Sequence, residues 1–164
     1  MQDSFEIRKA RLADAEKIFA LIDLNRDRLV PRSMGNIVEN VDRFRVAVDG
    51  ADVVGCAAYQ IHPEIGKTEE ATVEIQSLAV RAPWRGKGIG RALVETVASD
   101  VSGFRPKEIL VFTFTPEFFA SLGFVKIAKD KVMHKLYTGC INCTKHTDPF
   151  TCPERAMALE MSRS

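Results

Sequence analysis

Between an apolar run at 73–80 (VEIQSLAV) and an amphipathic run at 91–98 (RALVETVA), the chain places glycine at 86, 88 and 90. No other feature of the sequence narrows the fold as much. The first run reads as a strand and the second as a helix, with the glycines where the helix begins. A glycine-rich turn at a helix N-terminus bares several backbone N–H groups at the positive end of the helix dipole, which makes an anion site. Without Cβ atoms in the way, a phosphate comes close to the backbone. Arg85, Lys87 and Arg91 add cationic side chains around the turn. The spacing is neither the GxxxxGK[ST] of a P-loop nor the GxGxxG of a dinucleotide fold. What remains is R-x-x-G-x-G from Arg85 to Gly90, after a strand ending in L-A-V. A plain glycine-rich strand-to-helix turn is the alternative.

At 164 residues the chain has the length of one domain with a substantial core, taken as residues 1–164. A formal net charge of +1 makes no general case for nucleic acid or a membrane surface. No apolar run approaches the ~18 residues of a membrane span, and MQDSFEIRKA lacks the apolar segment of a secretory signal. A cytoplasmic location is expected. There the four cysteines are expected as thiols or metal ligands rather than disulfides.

Taken in order, Phe5 to Lys9 is a short alternating strand. Ala15 to Leu24 places Ile18, Phe19, Leu21 and Ile22 on one helical face. Asn25 to Ser33 is a loop containing Pro31, and Ser33 is placed to cap a second helix, Met34 to Val41, with Ile37, Val38 and Val41 inward. Arg43 to Val48 and Asp52 to Ile61 are strands joined by an Asp49-Gly50 hairpin turn. His62 opens a polar loop, and Thr72 to Val80 is the strand before the glycines. A helix over Gly90 to Val101, a strand over Ile109 to Phe114, a short helix over Pro116 to Leu122 and a strand over Phe124 to Ala128 follow. Residues 129–153 are a polar, cysteine-bearing excursion, and Arg155 to Met161 is a last strand. The pattern is α/β, with a central mixed, mostly antiparallel sheet flanked by helices.

The glycine loop with its strand, its helix and the later SLGF resembles the diphosphate loop of the GCN5-related N-acetyltransferases (GNAT), which hold acetyl-coenzyme A. Outside the loop, LVPRS, FRVAV, VVGCAAY, EIQSLAV and the tail GCINCTKHTDPFTCPERAMALEM resemble the acetyltransferase domain of bacterial N-acetylglutamate synthases. They resemble more closely the short stand-alone amino-acid N-acetyltransferases. The resemblance spans nearly the whole chain and implies the GNAT fold. Full-length synthases carry an amino-acid-kinase domain in front that usually houses arginine feedback. This chain leaves no length for it, so feedback by that route is not expected.

Acetyl transfer from a thioester to an amine needs a grip on the diphosphate, a donor to the thioester carbonyl, a base for the ammonium and a proton for the leaving thiolate. The grip is assigned to Arg85, Gly86, Lys87, Gly88, Ile89 and Gly90, with Arg91 just inside the helix. The resemblance implies that Leu78, Ala79 and Val80 pair through their backbone with the pantetheine arm, as a ligand adding a strand. It also implies that an N–H near Leu78 polarises the thioester oxygen. Glu74 is the candidate base. A carboxylate in a strand dominated by Val, Ile, Leu and Ala is partly desolvated, which favours a raised pKa. A structural, ion-paired glutamate is the equal alternative. Many GNAT enzymes supply the thiolate's proton from a tyrosine five residues before the phenylalanine of the final Gly-Phe. Here that position is Phe119, which cannot donate, and what is left is Tyr59, Thr113, solvent or departure of the thiolate unassisted. An acceptor carboxylate suits a bidentate arginine. Arg32, in the loop after the first helix, is the first candidate and Arg28 the second, against the reading of both as solvated arginines.

Cys140, Cys143 and Cys152, with His134 and His146 nearby, have knuckle spacing for structural zinc, with packed thiols or a disulfide as alternatives. Cys56, in GCAAY, is read as core, and His62 as a loop residue rather than a base. The expected function is transfer of the acetyl group of acetyl-CoA to the α-amine of an amino acid, L-glutamate foremost, as in arginine biosynthesis. Alternatives are another small amine or a protein amine as acceptor, a non-catalytic acetyl-CoA sensor, and a zinc-dependent interaction module. The partner is then a small molecule, with no nucleic acid or membrane, and a homodimer by analogy with the family.

Overall fold

A computed structural model describes residues 4–64, 66–132 and 154–161. Its strands are β1 (Glu6–Lys9), β2 (Phe44–Asp49), β3 (Asp52–His62), β4 (Thr72–Val80), β5 (Glu108–Thr113), β6 (Val125–Lys126) and β7 (Arg155–Glu160). Its helices are α1 (Ala15–Leu24), α2 (Met34–Glu39), α3 (Ile89–Ser102) and α4 (Pro116–Ala120). The strands hydrogen-bond in the order β1-β2-β3-β4-β5-β7-β6, a mixed sheet flanked by helices. β4 and β5 are parallel, and α3 lies in the crossover that such a pair needs. The pairs β1–β2, β2–β3, β5–β7 and β6–β7 are antiparallel. Two compact units divide the chain.

The first unit is Met1–Tyr59 with Ile75–Asp100. The apolar stripe of α1 buries Ile18, Leu21 and Ile22 in a cluster with Ile37, Phe44, Val46 and Cys56. Ser33 caps α2 by accepting from the Asn36 amide at 3.1 Å. α2 stops at Glu39, and only Ile37 of its three apolar residues points fully inward. Val38, expected inside, is 42% exposed, because the next helical position lies ~100° round from Ile37. Val41 falls in a 3₁₀ turn and is half-buried. In the β2–β3 hairpin Asp49 pairs with Asp52, so the two turn residues are Gly50 and Ala51. Gly50 has φ +59°, as the first position of a tight hairpin turn requires.

α3 lies close on β3 at Gly55. A Cβ there would stand 2.9 Å from Ile89 Cγ2, 3.1 Å from Leu93 Cδ1 and 3.3 Å from the Ala79 carbonyl oxygen. The other end of α3 is tied by buried Arg45, whose Nε donates to Asp100 at 2.6 Å. Cys56 is core, as expected. Burial pushes its thiol up to about 12, so it carries no thiolate at neutral pH, and Sγ donates to the Ser77 carbonyl at 3.3 Å.

The second unit is Gln60–Glu74 with Val101–Ser164. Its frame is the β5–β7 ladder, six residues long from Glu108↔Glu160 to Thr113↔Arg155. Leu110, Val132, Ala156 and Ala158 form its buried cluster. β6 is shorter than the expected 124–128, since the Phe124 amide donates instead to the Phe119 carbonyl, closing off α4. Cys140, Cys143, Cys152, His134 and His146 lie outside the described residues. Among the described residues no group of three metal-ligating side chains occurs, and no helix is long and apolar enough to cross a membrane.

At the start of α1, Asp14 takes both arms of the Arg8 guanidinium, at 2.8 and 3.0 Å, and the Arg11 amide at 2.7 Å. The Arg8 bond, then the Arg11 amide, hold its carboxyl below the usual 3.8 despite burial. A lowered carboxyl stabilises the fold above the unfolded-state pKa, and that gain is lost as pH falls through the folded value. Asp14→Asn is therefore expected to lose about 1–2 kcal/mol at pH 7. Urea unfolding of both proteins should show the gap closing below about pH 4. A gap that stays constant down to acid pH refutes the ion pair as its source.

Candidate functional site

β4 starts as a regular strand, with Val73 paired to Ile109 and Glu74 to Leu110. Three residues past Glu74, Ser77 adopts φ +55°. A left-handed serine inside a strand is strained by on the order of 1–3 kcal/mol and bends the chain like a bulge. Arg32 holds the bend: Nε donates to Ser77 Oγ at 2.8 Å and Nη2 to Gln76 Oε1 at 2.7 Å. Its Nη1 donates to Asn36 Oδ1 at 2.8 Å, and the guanidinium lies 5.2 Å from the centre of the Phe44 ring. These three acceptors are neutral, and together they orient the fork. Arg32 is thus an organised, half-buried cation, whereas Arg28 is exposed, 3.9 Å from Asp27.

Downstream of the bend come Leu78, Ala79 and Val80, with Ala79 buried and the other two half-buried. The Arg81 amide donates to the Val54 carbonyl at 2.8 Å and fixes the exit of the strand. Gly86 and Gly88 have φ +78° and +85°, and nothing within 4 Å would meet a Cβ at either. The Gly88 carbonyl accepts from the Ala92 amide at 3.0 Å, so the helix opens there. The amides of Ile89, Gly90 and Arg91 consequently have no acceptor within α3. Gly90 sits in the first helical turn rather than in the loop, and the Ile89 side chain is buried. Arg85 bonds the Val80 carbonyl at 3.2 Å and Asn25 Oδ1 at 3.0 Å. The Lys87 ammonium lies 5.0 Å from the Trp84 ring centre, and Arg91 pairs with Glu95 at 3.4 Å on the exposed face. An open, doubly left-handed turn, helix amides without an intrahelical acceptor and nearby cations fit a diphosphate.

In the second unit Glu74 is 4% exposed, and its Oε1 lies 3.1 Å from His62 Nε2. His62, expected to be a loop residue, is instead the last residue of β3 and 1% exposed. β3 runs one residue beyond Ile61, and the alternation that exposes Ile61 turns His62 inward. Phe119 is buried, edge-on to Phe118 and Phe124, and offers no hydroxyl. Thr113 Oγ1 accepts from the Thr115 amide at 2.8 Å and lies 3.1 Å from Thr115 Oγ1. Tyr59 is half-buried. Sequence reasoning missed His62, Ser77 and the polar partners Asn25, Asn36 and Gln76. Only His62 left a local signal, the continued two-residue alternation at the end of β3.

A family model described as an acetyltransferase (GNAT) domain matches residues 40–126. An uncharacterized N-acetyltransferase of Chlorobaculum tepidum is 35% identical over 153 residues, 92% of this chain and 93% of that protein. The amino-acid acetyltransferase of Mycobacterium tuberculosis is 29% identical over 136 residues, 80% of this chain and 74% of that protein. Among solved structures, N-acetylglutamate synthase from Neisseria gonorrhoeae, complexed with coenzyme A and N-acetyl-glutamate, superposes with a TM-score of 0.77 at 21% identity. That likeness, which is one of fold, covers 99% of this chain and 36% of that one.

Gly88→Ala places a methyl where a phosphate would lie, and Gly50→Ala carries the same positive-φ strain in the hairpin. Each is expected to lose about 1 kcal/mol of stability. Only Gly88→Ala should weaken coenzyme A binding, by about tenfold or more in calorimetric titration. Equal affinity in both variants removes the glycine turn from the binding site.

Proposed function

The chain belongs to the GNAT acetyltransferase family, and we propose that it moves the acetyl group of acetyl-CoA to the α-amine of an amino acid, L-glutamate foremost. The observation that carries the donor half is the open turn at Gly86 and Gly88, which leads into helix amides lacking intrahelical acceptors. Arg85, Lys87 and Arg91 supply charge around it. The backbone of Leu78, Ala79 and Val80 offers amides and carbonyls to the pantetheine arm, and the Leu78 amide polarises the thioester oxygen. The likeness to amino-acid acetyltransferases supports an amino-acid acceptor. Arg32, a cation oriented by neutral oxygens, suits an acceptor carboxylate.

Glu74, four residues before Leu78 on the same strand, takes the proton of the acceptor's ammonium. The freed nitrogen lone pair attacks the acetyl carbon, the C–S bond breaks to release the thiolate, and the nitrogen gives its second proton to water as the amide forms. Phe119 cannot protonate that thiolate, so Thr113, Tyr59 or water does. Residues 1–164 act in this reading as one catalytic domain in the cytoplasm. The aromatic packing of Phe119 favours one second reading, a non-catalytic acetyl-CoA sensor.

A panel of amino acids, polyamines and protein amines, followed by release of free CoA, separates the two. L-glutamate is expected to give the highest kcat/KM. Coenzyme A binding without release for any amine overturns the enzymatic reading. Glu74→Gln should lower kcat by about a hundredfold or more while the KM for acetyl-CoA stays within about twofold. An unchanged kcat excludes Glu74 as the base.

A further inference from the structure

We propose that His62 is a positioning residue for the transfer reaction: its Nε2–H holds Glu74 Oε1 and so sets the direction from which the carboxylate accepts the acceptor's proton. The proposal rests on the reading of Glu74 as base. His62 is 1% exposed and Glu74 4%, and the bond between them measures 3.1 Å. A carboxylate buried this deeply requires hydrogen-bond donors, and this donor comes from a neighbouring strand rather than from solvent.

The donor is itself held. His62 ends β3 and precedes Pro63, and the proline ring restricts the residue before it to extended backbone. The imidazole is therefore presented from a fixed backbone, whereas a glutamate has three side-chain torsions to settle. Fixing Oε1 removes most of that freedom before the substrate arrives, which is worth rate because orientation is supplied in advance. The bond also survives turnover. Nε2–H needs only a lone pair on Oε1, and Oε1 keeps one when Glu74 is a carboxylate and when it carries the acceptor's proton on Oε2. In the step itself the ammonium N–H bond breaks, the Oε2–H bond forms, and His62 neither gains nor loses a proton.

Two kinds of measurement on the full chain test this. First, ¹⁵N NMR of the imidazole at pH 7.5 is expected to show the neutral Nε2–H tautomer. An Nδ1–H tautomer or a charged ring overturns the proposal. Second, kinetics are measured with the best acceptor of the amine panel. His62→Phe fills the space without a donor and should lower kcat by about thirtyfold, with the KM for acetyl-CoA changed less than about twofold. His62→Gln, whose amide can occupy the place of Nε2–H, should recover to within about fivefold of wild type. If His62→Phe does not fold, His62→Asn replaces it, since its shorter amide cannot reach Oε1. A folded donor-less variant with wild-type kcat overturns the proposal, as does a Gln variant no better than Phe. Glu74→Gln separates the two readings. Lost kcat there with intact kcat in His62→Phe sinks the positioning role alone, whereas intact kcat in Glu74→Gln sinks the base and the positioning role with it.

Discussion

The left-handed serine in β4 and the arginine that holds it set the local geometry of that strand. Ser77 is strained by on the order of 1–3 kcal/mol. Two bonds from a charged guanidinium, each worth about 1.5–3 kcal/mol, are of the size needed to offset it. The Cys56 thiol adds a third bond, to the Ser77 carbonyl. Arg32 can do this because it is itself fixed, over the Phe44 ring and against Asn36 of α2. The residue that sequence alone presents as a substrate-binding cation therefore has a structural duty, and the proposed function would draw on that same fixed orientation. A guanidinium locked in one plane loses little further freedom when it meets a carboxylate.

The donor loop depends on a second constraint, the seating of α3. Its first turn is pressed against β3 at Gly55, and near its other end Arg45 reaches Asp100. Neither contact lies in the loop, yet both decide where the loop sits. The amides of 89–91 point wherever the start of α3 points, and a loop built on a rigid helix end needs no ordering when a phosphate arrives.

Much of this was legible in the chain. α1 and β4 have the bounds their periodicity predicts, Ala15–Leu24 and Thr72–Val80, because each carries an uninterrupted apolar pattern against polar flanks. Ser33 caps α2 as its type and place suggest. Reading failed where one residue's environment was decided elsewhere. Val38 looked apolar enough for the core, but it stands one helical position round from Ile37, which takes the inward face. Loop-like flanks, Pro63 among them, hid the fact that His62 is the last position of a strand. Ser77 was invisible as a bend, since its conformation is maintained by an arginine 45 residues away, and no local pattern encodes a bond of that range. Of the candidate site, the glycine loop stood out because its chemistry is written in consecutive residues. The pairings of Glu74 with His62, Arg32 with Gln76 and Ser77, and Arg85 with Asn25 did not, spanning 12, 44 and 45, and 60 residues.

Gly55 gives the helix seat a corollary in mutational tolerance. A methyl there meets the branched side chain of Ile89, itself buried and stiff about its first torsion, and the Ala79 backbone oxygen beyond it. No compensating change in one neighbour relieves all three contacts. Gly86 and Gly88 face open space, so a side chain there brings the strain of its positive φ but no clash with the fold. In a library of random variants selected only for folding, position 55 should stay glycine while the phosphate loop drifts. Selection for turnover should then restore the loop and leave position 55 as it was.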